Sequence, residues 1–225
     1  MAIRSVSLAS ALILALMMLA VPSPTRADQW QEMEDSFERG ADQARYWQWG
    51  WGAFYAGSSA WSLVQAHRTH HADDRYDDYV DATKAALGLA GTLLFAPRHG
   101  QALQRFQALR ADGDRQALAS ARIVMATLAA EEEQQRRWRS RLGGLIVNGL
   151  AGLAIGLDDN RPGDAWVNFA TGMLTTELNV RTRPDTATAF LEQHPDFTVK
   201  ANGGRLDFYV QRWVTPMGAG VAVRF

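Results

Sequence analysis

Apolar residues come in blocks along the chain, and each block ends at a run of charge or at a proline or glycine break. Residues 28–44, "DQWQEMEDSFERGADQA", are polar and acidic and read as a surface helix or a loose lead-in. Residues 45–67 predict a first helix, aromatic at its front and small in its middle. The charged stretch "HRTHHADDRYDD" reads as a connection, and 79–96 as a second helix stopped by Pro97. Residues 100–141 differ in pattern. Leu103, Phe106 and Leu109 recur at three; after "ADGD", Leu118, Ile123, Val124 and Leu128 make a broad face, and the run closes in "EEEQQRRWRSR". Acids before bases suit a solvated helix, so this is an amphipathic pair at the surface. The most apolar block is 142–157; "DDNRPGD" turns the chain, with Asp164 placed to cap a helix over 165–180. Near the end, "RLDFYVQRWV" and "AGVAVRF" alternate around "TPMG", a hairpin pattern. The predicted fold class is mainly α. It is a glycine-rich helical bundle of four candidate membrane or core helices, with an amphipathic pair and a C-terminal β-hairpin at about 205–225, in one domain spanning 28–225.

Small residues within the four blocks repeat at helical spacing. Gly144, Asn148, Gly152 and Gly156 form one ridge; Gly52, Ala56 and Ala60 another, with Ala53 and Gly57 as a second row; Lys84, Gly88 and Thr92 a third; Asn168, Gly172 and Thr176 a fourth. Each helical glycine costs about 1 kcal/mol relative to alanine in water, so close backbone packing must offset it. Such ridges are the usual association mode of helices in lipid. A tight soluble bundle has the same contacts. Of the candidate spans, 45–67, 79–96, 142–157 and 164–181, only the first comfortably reaches the roughly 20 residues a crossing needs, and it contains Gln48, Ser58 and Ser59. The stretch "RYWQWGWGAFYAG" packs Tyr46, Trp47, Trp49, Trp51, Phe54 and Tyr55 into 45–57, which suits a lipid–water boundary as well as a core or pocket wall.

Residues 1–27 read as a secretory signal: Arg4, then the apolar "LASALILALMMLAV", then "TRA" before Asp28. An uncleaved anchor helix is the alternative. Cleavage leaves 21 basic against 24 acidic residues, a net charge of −3, and no field that points to nucleic acid. Cysteine is absent, which excludes disulfides, thiol catalysis and thiolate metal sites. Topology brings a conflict. With the mature N-terminus outside, two spans return 97–141 to the outside, yet this segment carries nine arginines, which favour the cytoplasm.

Candidate chemistry is sparse. His67, His70, His71 and Asp74 fall at i, i+3, i+4 and i+7. If the first helix runs through them, they line one face able to take zinc or copper. Otherwise they are a polar helix end, where histidine suits the negative terminus. Asp81 and Lys84 share an apolar helix and Glu177 lies in another; a pairing of Lys84 with Glu177 or Asp81 is either a functional intramembrane group or a structural ion pair. Asn148 and Asn168 suit hydrogen bonds between helices. "AGSSAW" is not a nucleophile elbow, and "NGLAGLAIG" lacks the preceding strand of a dinucleotide fold, so no cofactor is expected.

The segment "GLDDNRPGDAWVNFATGMLTTELNVRTRP" resembles a family of small bacterial envelope proteins of uncharacterised function. The matching positions are Asp158, Arg161, Pro162, Asn168, Phe169, Gly172, Glu177, Leu178 and Pro184, with Lys84 in its alanine-rich helix similar as well. The resemblance extends over about half of the chain and implies a membrane-embedded helical fold, with no activity attached. The expectation is therefore an exported, membrane-associated envelope protein, non-enzymatic, with a structural or assembly role. Membrane lipid is its expected partner, with a protein partner or a second copy beside it. A soluble periplasmic domain binding a metal or small ligand is one alternative. A transport component or enzyme using Lys84 and Glu177 is the other.

Overall fold

A computed structural model describes residues 26–113, 116–158 and 160–195, without the side chains of Arg26 and Asp158, and the backbone alone of 197–201, 204–215 and 218–224. The expected signal peptide lies outside the described residues, apart from Arg26 and Ala27. The first helix, α1, runs unbroken from Arg26 to Arg68. The polar segment 28–44 is thus neither a lead-in nor a separate helix. No proline falls between Pro24 and Pro97 to stop it. Met33, Phe37, Ala44, Trp47 and Ala66 are buried along it, so one inward face persists over 43 residues, about 64 Å of helix.

After a short link come α2 (Ala72–Leu94), α3 (His99–Asp112), where Gly113 takes the left-handed cap, and α4 (Ala117–Arg136). A 3-10 turn, Trp138–Arg141, leads into α5 (Leu142–Leu153), which a π-helical turn extends through Ala154–Asp158. Asn160 in the left-handed conformation reverses the chain into α6 (Pro162–Arg181), with Pro162 at its start; a short α7 follows (Thr186–Gln193).

The helices sort into two regions that share α1. The first half of α1, with α3, α4 and α7, forms a cap around Met33, Phe37, Ala102, Phe106, Ala121, Met125, Leu128, Ala129, Ala187 and Phe190. The Phe106 ring lies 4.8 Å from that of Phe37 and 5.4 Å from that of Trp30. Burying each large side chain contributes about 1.5–3 kcal/mol. The pair expected at the surface therefore supplies six of the ten buried residues of the principal core. Its inward positions are largely alanines, which carry little weight in a hydrophobic pattern, whereas Ile123 faces outward. The second half of α1, with α2, α5 and α6, forms a stem of two antiparallel hairpins, α1–α2 and α5–α6.

The cap closes on one buried carboxylate. Glu132 is 2% exposed, on the same α4 stripe as Ala121, Met125 and Leu128. Its Oε1 lies 2.8 Å from His99 Nε2 and accepts the Ala187 N–H at 3.0 Å. Its Oε2 accepts the Thr188 N–H and the Thr188 hydroxyl, both at 2.7 Å. The carboxylate thus meets the unpaired donors at the start of α7, where the helix dipole also favours an anion. Gly40 lets α1 approach the same point, since a Cβ there would fall 2.8 Å from the His99 ring, and Ser36 donates to the Thr186 carbonyl at 3.2 Å.

The expected mixture of helical bundle and C-terminal β-hairpin is corrected to an all-helical body. Among residues whose side chains are described, regular structure is helical throughout and no strand occurs. Beyond Pro195 the described backbone is extended in three antiparallel segments (Phe197–Ala201, Gly204–Thr215, Gly218–Arg224), not a two-stranded hairpin seated on the helices. Alternation specifies extended backbone but not what it packs against.

The Glu132 network carries a pH dependence. Burial acts to raise its pKa, but the hydrogen bonds from His99, Thr188 and the α7 backbone outweigh burial, and the net direction is down. Its stabilisation is then complete above the unfolded carboxylate pKa of about 4.3 and is lost as pH falls through the lower folded value. Glu132→Gln, which replaces one acceptor oxygen by a donor, is expected to cost about 2 kcal/mol at pH 7. Thermal unfolding of both proteins at several pH values should show the gap closing below about pH 4; a gap independent of pH contradicts the assignment.

Candidate functional site

The site lies in the stem. Its α5–α6 hairpin is zipped by small residues at the expected ridge. A Cβ on Gly172 would overlap the Asn148 carboxamide, one on Gly144 would come within 2.9 Å of Thr176 Cβ, and one on Gly156 within 3.1 Å of Ala165 Cβ. Asn148 is buried; its amide donates to the Gly144 carbonyl at 2.8 Å and faces Thr176 Oγ1 at 3.4 Å. In the α1–α2 hairpin, Gly88 receives the Tyr55 ring, at 2.6 Å from where a Cβ would stand. The row on α1 behaves differently. Nothing lies within 4 Å of a Cβ built on Gly50, Gly52 or Gly57, so these glycines serve no close contact.

The aromatic cluster splits by helical phase. Trp47 is buried and donates its indole N–H to the Asn179 carbonyl at 3.0 Å; Trp51 donates to Thr182 Oγ1 at 2.9 Å. Both reach the C-terminal end of α6. Tyr46, Trp49 and Phe54 face outward from the same turns.

Of the polar candidates, three meet. Lys84 Nζ donates to Asn168 Oδ1 at 2.7 Å and to Asp81 Oδ1 at 3.3 Å, while the Asn168 amide donates to Asp81 Oδ1 at 2.8 Å. This triangle joins α2 to α6. Glu177 is not part of it; it pairs with Arg141 through contacts of 2.6 and 3.0 Å and with Arg181 at 2.6 Å. Arg161 clamps the closed ends of the two hairpins together, with a two-pronged contact to Asp77, a bond to the Asp73 carbonyl at 3.3 Å and one to Asp164 at 3.0 Å. Asp164 therefore serves Arg161 and not as the helix cap expected of it. The side chain of Asp158 lies outside the described residues. The histidine face does not form: α1 ends at Arg68 and α2 begins at Ala72, so His67, His70, His71 and Asp74 are divided between two helices and a link. Among the described residues no group of three or more His, Asp or Glu is placed to hold a metal.

Between the hairpins, where α2 and α5 touch lightly, lies a cavity of about 560 Å³. Its wall is glycine and aromatic ring interleaved with serine, threonine and asparagine, with Lys84 and Arg183 as its cations and Asp81 as its carboxylate. Arg183 was not singled out by the sequence. Its guanidinium lies 5.0 Å over the Trp47 ring, its Nε is buried without a partner, and no carboxylate is paired with it among the described residues. Burial lowers its pKa from the usual value, and nearby Tyr55 acts weakly the other way. The one advance signal was its position, just past a helix end in "RTRP".

The outer surface of the stem is apolar. Leu150 is 63% exposed, Leu157 77% and Trp166 71%. One segment among the described residues is long and apolar enough to cross a membrane by length and composition, Trp138–Leu157, with only 22% of its window buried. By that measure four candidate spans reduce to one, because α1, α2 and α6 are less apolar along their length than 138–157. No protein family, curated protein or solved structure matches the chain. The envelope-family resemblance rests on the residues quoted for it.

The glycine contacts separate two substitutions. Gly144→Ala forces a methyl onto Thr176 and is expected to cost about 1–3 kcal/mol. Gly52→Ala meets open space and should stabilise α1 by up to about 1 kcal/mol. Thermal melts in nonionic detergent read both; equal effects would show that the ridge does not set hairpin packing.

Proposed function

We propose that this chain is an exported envelope protein held in a membrane by its stem, with a structural or assembly role carried by the cap. The observation that supports this reading is the inverted polarity of the stem. Its interior is glycine, alanine, threonine and asparagine, with Lys84 satisfied inside, while leucines and tryptophans face outward. A helix bundle in water hides its leucines; one in lipid presents them and associates through small and hydrogen-bonding residues. The axial dimension is compatible. Residues 142–158 rise about 25 Å, close to the roughly 30 Å of a hydrocarbon core. At the junction with the cap stand Trp49 and Trp138, both exposed, with Arg137, Arg139 and Arg181, a composition suited to the headgroup region.

Because Arg161 ties both closed ends together, each hairpin enters and leaves from the cap side. The arginine-rich 97–141 segment then lies on the same side as the start of α1, the periplasmic side if the signal is cleaved. A step using Lys84 with Glu177 gains no support, as the two belong to separate networks.

Alkaline carbonate washing of membranes from cells making a C-terminally tagged protein tests the reading. Retention in the pellet is expected, and the double substitution Leu150→Arg and Leu153→Arg, on the exposed face of α5, should shift the protein to the wash. Release of the unmodified protein with the soluble fraction would overturn it.

A further inference from the structure

The Arg183 cavity has an unmatched charge. Every other polar side chain on which the stem depends is already engaged: Lys84 by Asn168 and Asp81, Asn148 by the Gly144 carbonyl, and the Trp47 indole by the Asn179 carbonyl. Arg183 has a ring beneath it and apolar wall beside it. Arg183 is partly buried, and a partly buried cation without a counter-charge loses solvation that a bound anion restores. A guanidinium whose carbon stands 5.0 Å over an indole ring keeps donors beyond its buried Nε, and a guanidinium can take a carboxylate in two parallel hydrogen bonds.

The rest of the wall sets what the anion is attached to. Beyond Arg183 the cavity runs past Trp47, Tyr55, Gly88, Gly91, Val147 and Gly144. The wall hydroxyls of Thr92, Thr175 and Thr176 donate to carbonyls of their own helices, and glycine on the facing helices opens a channel beside them that an alkyl chain can fill. The volume of about 560 Å³ falls within the range of about 300–1,000 Å³ usual for small-molecule sites. At about 30 Å³ per heavy-atom-sized unit, the liquid share of one water, it holds roughly 19 such units, the size of one long-chain carboxylate. A phospholipid with two chains is about twice too large.

We infer that the stem cavity binds a single-chain anionic amphiphile, a long-chain carboxylate, with its head on Arg183 and its chain between the α1–α2 and α5–α6 hairpins. Binding closes the loosely packed space between the hairpins, so it is expected to raise thermal stability with the logarithm of ligand concentration above Kd. The inference goes beyond the membrane reading and does not depend on it. Ligand binding is measured in detergent solution and membrane retention in cell fractions, so either can fail alone.

The test uses the purified full chain in nonionic detergent, titrated with the fluorescent fatty acid cis-parinaric acid and competed with palmitate, hexadecanol and phosphatidylglycerol. Palmitate should displace the probe at stoichiometric occupancy, with hexadecanol and phosphatidylglycerol weaker. Arg183→Gln should weaken palmitate by about tenfold or more, Arg183→Lys less, and neither should change hexadecanol. Gly91→Leu, at a cavity-lining position where a Cβ meets nothing within 4 Å, should block the probe while the protein remains folded by circular dichroism. This second variant keeps the test decisive if Arg183→Gln fails to fold. Hexadecanol competing as well as palmitate, phosphatidylglycerol competing better, or Gly91→Leu binding as tightly as the unmodified chain would each overturn the assignment.

Discussion

The buried carboxylate of Glu132 is the contact on which the cap depends. It takes four hydrogen bonds at a point where α1, α3, α4 and α7 converge, with His99, Ala187 and Thr188 as donors and Gly40 giving α1 room to approach. A carboxylate there stabilises the fold only because every acceptor position in use is matched. Remove one donor and an incompletely paired charge remains in the core. The short α7 has no side-chain cap of its own from Asp185, so its first turn relies on α4 for satisfaction. The cap thus combines this polar centre with an apolar cluster that includes Phe37, Phe106 and Met125.

What α1 adds is continuity. A helix of 43 residues serves as one wall of the cap and one wall of the stem, so the two regions cannot rotate freely without bending it. The change in its surroundings is abrupt. Around Met33 and Phe37 it packs large apolar side chains inward, as in water; beyond Trp51 its inward contacts are tyrosine on glycine and serine on a carbonyl, and large rings turn outward. One helix thus carries two packing patterns along its length, large apolar side chains inward in the cap and small residues inward in the stem, and the change falls near Trp47.

The stem holds together by unlike means at its two ends. At the closed end, Arg161 bridges the hairpins by charge. At the cap end, Trp47 and Trp51 reach across to the last turn of α6. Between these ties, contact within each hairpin is close and contact between hairpins is sparse, and a cavity opens there. Helices that pack through glycine approach their own partner closely and leave shallow faces toward any third element. The cavity follows from that geometry, and Arg183 acquires its character from where α6 happens to end.

The sequence by itself determined the helical class, most element positions to within a few residues, and the α5–α6 ridge of Gly144, Asn148, Gly152 and Gly156, because helical spacing and small side chains are local properties. It also placed Asp81, Lys84 and Asn168 as polar groups on apolar helices, and these do meet. It misjudged 28–44, whose few apolar residues at wide intervals became a core face only when Phe106 and Met125 arrived from elsewhere. The α1 glycines had the right spacing yet no neighbour, since spacing states which residues share a face and not what that face meets. Glu132 and Arg183 were legible only in three dimensions. One is a carboxylate among three in a row and the other an arginine among many, and burial and pairing, which decide their chemistry, are set by residues 33 and 136 positions away in the chain, His99 and Trp47.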